Sequence, residues 1–414
     1  MKFAVIGSGG REHAICWKLA QTLGEKNVYC LPGNGGIPNS VSIDTNSFEA
    51  IEGFCNEHEI DYIFVGPEQP LSEGIVDYFR QRNIAVFGPT KQAAQLEGSK
   101  IFSKNFMQKY GVSTAPFKTF TSVHDALDLI HEKKGDLVVK YDGLAAGKGV
   151  WVCSSIDEAM EAMNELELGY GSNCRFLIED KVIGDEISII GFTDGETIKL
   201  LLPSQDHKQL LEGDKGPNTG GMGVICPVPF WNDQLHDQIQ AQIVKPTLRG
   251  IAAENMDYKG IIYFGIMMGQ NGPSLLEYNV RFGDPETEVL LPSLKTDLSD
   301  IIVRCLDGTL GEIELEFEDG YFVDVVMVSG GYPKAYKKGY QIEGLESTEA
   351  LVFHAGTKRL EGAYLTNGGR VLNIIGQDEH LEKAIEKAYA ACAEIHFKDS
   401  FCRKDIGKRV YKFF

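Results

Sequence analysis

Apolar strand runs and helical spacing take turns through residues 1 to about 100, and that alternation dictates a parallel sheet with crossover helices. Residues 2–6 read as a buried strand. Gly7-Ser8-Gly9-Gly10-Arg11-Glu12 turns out of it, and Ile15, Leu19 and Leu23 mark one apolar helix face. Residues 27–31, 61–65 and 84–87 are the later strands. Gly66-Pro67-Glu68 and Gly88-Pro89-Thr90 follow strand C-terminal ends, where open α/β sheets place their ligands.

The first turn is not a dinucleotide-binding loop. The third glycine of that motif would fall at position 12, which is Glu12, and Leu31-Pro32 stands where the ribose-binding acid belongs. Two readings stay open: a tight turn only, or a helix N-terminus whose free amides hold a phosphate or carboxylate. Residues 96–110 read as a helix with Phe102, Phe106 and Met107 inward, and 111–116 form a boundary.

A second glycine loop is more specific. Gly143-Leu144-Ala145-Ala146-Gly147-Lys148-Gly149 joins strands 137–140 and 150–152. It is not a Walker A loop, because three residues separate its glycines, Gly149 follows Lys148, and a strand comes next. A glycine hairpin of this kind can close over phosphates, with amides and Lys148 as donors. Lys140, inside an apolar strand, is costly to bury without an anion. Capping-box starts mark helices at Ser122 and at Ser155 with Glu158. Strands 175–179 and 186–193 flank the connector 180–185, which can offer backbone groups to an adenine ring, with Glu186 beside the ribose. Polar loops follow at 204–208 and 213–223, then a helix over 232–254 and a strand over 260–268. Loops this long in a compact domain are more often functional than idle. His207 has no partner at metal spacing and is not read as a ligand.

Beyond the Asn271-Gly272 turn, residues 275–280 form a strand with Glu277, Asn279 and Arg281 on one face and Leu276, Tyr278 and Val280 on the other. Two hard oxygen donors beside an arginine suit a divalent metal bridging nucleotide phosphates. A strand with one solvated polar face is the plainer alternative. The last unit, from about 327, carries strands at 324–328, 351–354 and 370–375 and an amphipathic helix at 380–396. It offers nothing catalytic by itself and is expected to cover the site.

The chain has 414 residues and a net charge of −19, with no basic run beyond 334–338, which argues against nucleic-acid and anionic-membrane partners. Nine scattered cysteines without Cys-x-x-Cys spacing point to reduced thiols. The N-terminal apolar run is too short for a signal peptide, and a cytoplasmic protein is expected. No Ser-His or Cys-His constellation offers a nucleophile.

Residues 139–150, 216–223 and 281–287 together resemble the glycinamide ribonucleotide synthetase family of the ATP-grasp superfamily, and the resemblance runs from 7–14 through 95–100 to 401–407. The run Arg281-Phe282-Gly283-Asp284-Pro285-Glu286-Thr287 is specific to the family, whereas the glycine flap is shared across the superfamily. The resemblance implies an α/β protein, α+β in its centre. An open parallel-sheet domain (1–102) precedes an ATP-grasp core (103–326) with a mobile lid at about 121–188, and a small α+β domain (327–414) follows. It also implies ATP-dependent joining of glycine to 5-phosphoribosylamine through glycyl phosphate, in de novo purine synthesis, by a monomer using Mg2+ or Mn2+.

By the same resemblance Glu277 and Asn279 match metal ligands. Lys100 and Lys140 match the phosphate-reaching lysines, and Lys148 the flap. Glu179 and Val182 match the adenine edge, and Glu186 the ribose contact. Gly9, Gly10, Asp206, Thr219, Gly220 and Arg281 match the pocket for glycine and the phosphoribosyl group, with Arg281, Lys148 and Asp206 expected in catalysis. Three departures stand out: Tyr141 in the flap strand, Asp180-Lys181 at the adenine hinge, and Gly265 where a second metal carboxylate is common. A biotin-type or purine carboxylase, an NAD-dependent dehydrogenase and a non-catalytic nucleotide-binding regulator are the competing readings. A bicarbonate requirement would select the first.

Overall fold

In the computed structural model, which describes residues 1–82, 84–145 and 149–409, the four N-terminal strands form the expected parallel array. They are β1 (Phe3–Gly7), β2 (Val28–Pro32), β3 (Tyr62–Val65) and β4 (Ala85–Pro89). β1 lies between β2 and β3, and β3 also pairs with β4. Phe3 and Val5 point to one core and Ala4 and Ile6 to another, all at most 1% exposed, so the strand is apolar without alternation.

The next strands form a separate antiparallel sheet: β5 (Phe117–Phe120), β6 (Asp136–Tyr141), β7 (Val150–Ser154) and β8 (Phe176–Glu179), in the order β5-β8-β6-β7. Helices Val123–Glu132 and Ile156–Tyr170 share its apolar core. β6 and β7 are antiparallel and flank the glycine loop. Ser155 accepts from the amide of Glu158, as its spacing predicts. Ser122 caps its helix by position only, without a side-chain bond.

β9 (Gly184–Thr193) and β10 (Ile198–Leu200) return the chain to the first sheet. β11 (Gln205–Asp206) and β13 (Lys215–Asn218) fall in the two regions read as loops, with β12 (Gln209–Leu211), the hairpin partner of β13, between them and β14 (Gly223–Cys226) following. The sequence hides this hairpin because β12 is only three residues long and β13, with Gly216 and Pro217, is exposed throughout, so no alternation marks it. β15 (Tyr258–Gly269) pairs antiparallel with β4, β9 and β16 (Gly272–Asn279). One eight-stranded sheet therefore runs through the N-terminal unit into the core.

Two expected helices are interrupted. Residues 96–110 split into Gln95–Gly98 and Lys100–Tyr110, because Ser99 is extended and its hydroxyl accepts from Phe102 N. The run 232–254 carries a π-type turn at Gln240–Val244 before Lys245–Ala253. Pro246 has no N–H for the carbonyl of Gln242, which instead accepts from Ser113 N at 2.9 Å.

β17 (Tyr321–Val328), β18 (Leu351–His354), the hairpin β19 (Thr357–Leu360) and β20 (Ala363–Thr366), and β21 (Arg370–Asp378) complete the strands. Their sheet has the order β11-β14-β17-β21-β18, so residues 205–226 belong to it, and the expected boundary at 326 falls inside β17. The expected boundary at 102 falls inside the helix Lys100–Tyr110. Among the described residues, no helix is long and apolar enough to cross a membrane.

Candidate active site

A cleft of about 540 Å³ lies between the four-stranded sheet β5-β8-β6-β7, the eight-stranded sheet and the C-terminal sheet. β16 brings Glu277 and Asn279 to its wall, but the expected alternation fails one residue earlier. A bulge opposite Gly265 and Ile266 lets Leu275 pair with Ile266 and Glu277 with Gly265. Leu275 is buried in the core, and Leu276 joins Glu277 on the cleft side. The carbonyl of Leu276 accepts from Lys140 Nζ at 2.9 Å. Tyr278 and Val280 keep their place in the core.

Glu277 accepts from Lys100 Nζ at 2.7 Å. Burial pushes its pKa up, but Lys100, Lys208 and Lys140 hold it well below the usual carboxylate range. Asn279 Oδ1 accepts from Arg281 at 3.1 Å. Arg281 in turn pairs with Glu68 at 3.1 Å and with Glu97 at 2.9 Å. Burial would lower the pKa of this guanidinium, yet Glu97 and Glu68 raise it. Arg281, expected in the pocket for glycine and the phosphoribosyl group, lines the cleft; its charge is matched by the two carboxylates, and it donates to Asn279.

Lys140 is 4% exposed, and its anion is Glu179, at 2.6 Å. Glu179 also pairs with Lys104 at 2.5 Å. Desolvation lowers the pKa of Lys104 to about 8. The Glu179 side chain is shared by the two lysines, while the residue itself lines the cleft beside Val182, where the sequence reading expects the adenine edge. Val182, Asp180 and Lys181 line the cleft mouth. Glu186 pairs with Lys208, whose pKa is raised well above the ordinary value by Glu186 and other neighbours despite burial. Tyr141, unusual in its strand, stacks on Tyr170 at 3.7 Å. Lys148 lies outside the described residues.

Asp206 and Thr219–Gly220 reach the same cleft from the C-terminal sheet side. Burial, and Glu286 next, push the pKa of Asp206 well above the carboxylate range. Gly221 (φ +111°) presses against Pro285 and Asp206, where a Cβ would meet Pro285 Cδ at 2.3 Å, so this turn needs glycine. Gly9 and Gly10 are not among the lining residues. The amide of Gly9 donates to Glu12 at 2.6 Å, and a Cβ at Gly10 would strike Asn373 and Glu288 at 2.5 Å. At Gly10 the start of the helix Gly10–Leu23 packs closely on Asn373 and Glu288.

Arg370, from the unit expected to hold nothing catalytic, lines the cleft. It donates to the carbonyls of Gly220 at 2.5 Å and Asp284 at 2.9 Å and pairs with the Asp284 carboxylate. Lys208, Glu286 and Glu68 are further lining residues that sequence reasoning did not select. Each carried only a regional signal: Glu68 follows a strand end, Lys208 lies in the polar loop 204–208, and Glu286 lies in the run 281–287. Their individual places in the cleft depend on long-range approach.

Three family models cover the chain: phosphoribosylglycinamide synthetase N domain over residues 1–97, its ATP-grasp (A) domain over 98–287 and its C domain over 322–409. The phosphoribosylamine–glycine ligase of Clostridium acetobutylicum is 44% identical, covering 99% of this chain and 100% of its own. The chain belongs to the phosphoribosylglycinamide synthetase family. The Halalkalibacterium halodurans ligase is 43% identical, with 99% and 97% covered. The crystal structure of phosphoribosylamine–glycine ligase from Thermotoga maritima is 35% identical, with a TM-score of 0.86 over 98% of this chain and 100% of that one. The biotin carboxylase domain of Hydrogenobacter thermophilus 2-oxoglutarate carboxylase, at 17% identity, has a TM-score of 0.71 over 97% and 91% and shares the fold.

This membership gives the three-sided cleft its meaning, because each family domain contributes a wall: Arg11 from the first, Lys140 and Glu277 from the second, Arg370 from the third. The donor set fits a divalent cation. Glu277 is held ionised and Asn279 presents an amide oxygen on the same wall, both hard donors with room beside them for phosphate oxygens. Among the described residues no cluster of three or more His, Cys, Asp or Glu could hold a metal by itself, so such a cation would share its shell with substrate and water.

Proposed function

We infer that this chain joins glycine to 5-phosphoribosylamine, splitting ATP to ADP and phosphate and giving N1-(5-phosphoribosyl)glycinamide, a step of de novo purine synthesis. The observation that supports this most is the single cleft walled by all three family domains. A ligase must hold a nucleotide, an acid and an amine at once and keep water from the activated acid.

The nucleotide lies under the lid, with Val182 and its neighbours at the base and Lys100 and Lys140 toward the phosphates. Glu277 and Asn279 would hold Mg2+ or Mn2+, which when bound neutralises phosphate charge. Glycine's carboxylate attacks the γ-phosphorus, giving glycyl phosphate and ADP. The amine of phosphoribosylamine then attacks the acyl carbon, and inorganic phosphate leaves with the C–O bond electrons. Asp206, whose proton affinity burial raises, takes the proton that the amine sheds. Arg370 and Thr219–Gly220 border the space for the two non-nucleotide substrates. Positioning and charge neutralisation carry the chemistry, so no enzyme nucleophile is needed.

The test is phosphate release from Mg-ATP with glycine, with and without freshly made phosphoribosylamine. Release that needs both substrates is expected. Release with neither, or only with bicarbonate, would overturn the substrate assignment and leave the fold standing.

A further inference from the structure

The run Arg403-Lys404-Asp405-Ile406-Gly407 lies outside the cleft lining, yet it is bonded closely to the chain that forms one wall. Arg403 is 1% exposed. Its Nε and Nη2 donate to Asp405 at 2.8 Å, and its Nη1 donates to the carbonyl of Gln209 at 2.9 Å and to Asp214 at 3.2 Å. Asp405 also accepts from the amide of Gly213 at 2.9 Å. Arg409 approaches Asp214 from the other side at 3.5 Å. These bonds grip both the base and the tip of the β12–β13 hairpin.

The same segment reaches the residue between two cleft residues. Gly407 N donates to His207 Nε2 at 3.2 Å, and His207 lies between Asp206 and Lys208. Ile406 packs where Gly223 has no side chain. The segment itself is seated on the helix Leu381–Glu394 through Tyr389, whose hydroxyl donates to Arg403 O at 2.8 Å and accepts from Ile406 N at 3.0 Å.

β12 and β13 pair only with each other. A lone two-stranded hairpin is marginal in water, so something outside must hold it. Its two ends deliver Lys208 and Asn218–Gly220 into the cleft, joined by Thr219 Oγ1, which donates to the carbonyl of Lys208 at 2.8 Å.

We propose that the 403–409 segment is a strut that positions the 206–220 wall for the non-nucleotide substrates, with Arg403 and Asp214 as positioning residues. The assignment of that wall to glycine and phosphoribosylamine rests on the function inferred above; the strut itself does not. Its reach to the nucleotide side runs through Lys208, which pairs with Glu186, whereas Lys100, Lys140 and Glu277 keep direct partners outside the segment.

Asp214→Asn, Arg403→Met and Arg403→Lys are compared with the full-length parent. Asp214 sits at an exposed hairpin tip, so its substitution leaves folding intact even if Arg403→Met fails to fold. The KM for glycine or phosphoribosylamine should rise roughly ten- to a hundredfold in Asp214→Asn and Arg403→Met. The KM for ATP, reached only through the Lys208–Glu186 pair, should change several-fold less, and Arg403→Lys should recover part of the loss. Hydrogen exchange of amides 208–220 should quicken in Asp214→Asn while β1 to β4 are unchanged. Parent-like KM values with unchanged exchange across 208–220 would overturn the strut. A parent that turns over neither substrate would sink the ligase reading instead, and the exchange comparison would still decide the strut.

Discussion

Replacing Glu179 by Gln removes one negative charge and almost no volume from between two buried lysines. Lys104 and Lys140 lie 2.5 and 2.6 Å from its carboxylate, and all three side chains are at most 5% exposed. What remains for the ammoniums is Thr114 Oγ1 and the Ala115 carbonyl for Lys104 and the Leu276 carbonyl for Lys140. Removing one partner of such a group costs about 3–5 kcal/mol. Proton loss sets the ceiling, because a lysine of ordinary pKa can shed its proton at pH 7.5 for about 4 kcal/mol. Lys104, already down to about 8, contributes little to that ceiling. The penalty should therefore shrink as pH rises toward 10, where neutral lysines no longer need the carboxylate. Urea unfolding of parent and variant at pH 7.5 and 9.5 measures this. Trp151 lies in the same four-stranded sheet, and its fluorescence follows that unit. A loss under about 1 kcal/mol at pH 7.5, or one that grows with pH, would refute the reasoning.

Two further outcomes are expected. Glu277→Ala should lower Mg-ATP turnover about a thousandfold while far-UV circular dichroism stays unchanged, and near-parent turnover would remove Glu277 from the metal role. Acid should destabilise the protein through its buried imidazoles: desolvation lowers His207 to about 4, His354 to about 4 and His13 to about 3. The unfolded chain takes up these protons first, near pH 6.5, so the contribution is complete above that pH and is lost as pH falls toward 4. For the fully buried His207 the loss is about 3 kcal/mol, and His207→Asn should flatten the stability profile between pH 6.5 and 4. A slope unchanged by that substitution would contradict it.

The features that were legible in the sequence are local ones. β1 and the helix after it, the antiparallel strands around the glycine loop, and the polar end of β16 each follow from spacing within a dozen residues, where periodicity and turn chemistry act. The same rules missed the bulge beside Leu276, because a register shift depends on the partner strand and not on the strand itself. They also missed the β12–β13 hairpin, whose hold comes from Arg403 at the far end of the chain.

By itself, then, the sequence determined which oxygen and nitrogen donors exist and on which short elements they ride. Tertiary structure decided what each charge answers to: Lys140 to Glu179, Arg281 to Glu68 and Glu97, Arg370 to Asp284. It also decided that Asp206 stands in the C-terminal sheet and not in the core. The physical reason is that a buried charge must be matched within a few ångströms of space, at any distance along the chain, and no local period carries that information.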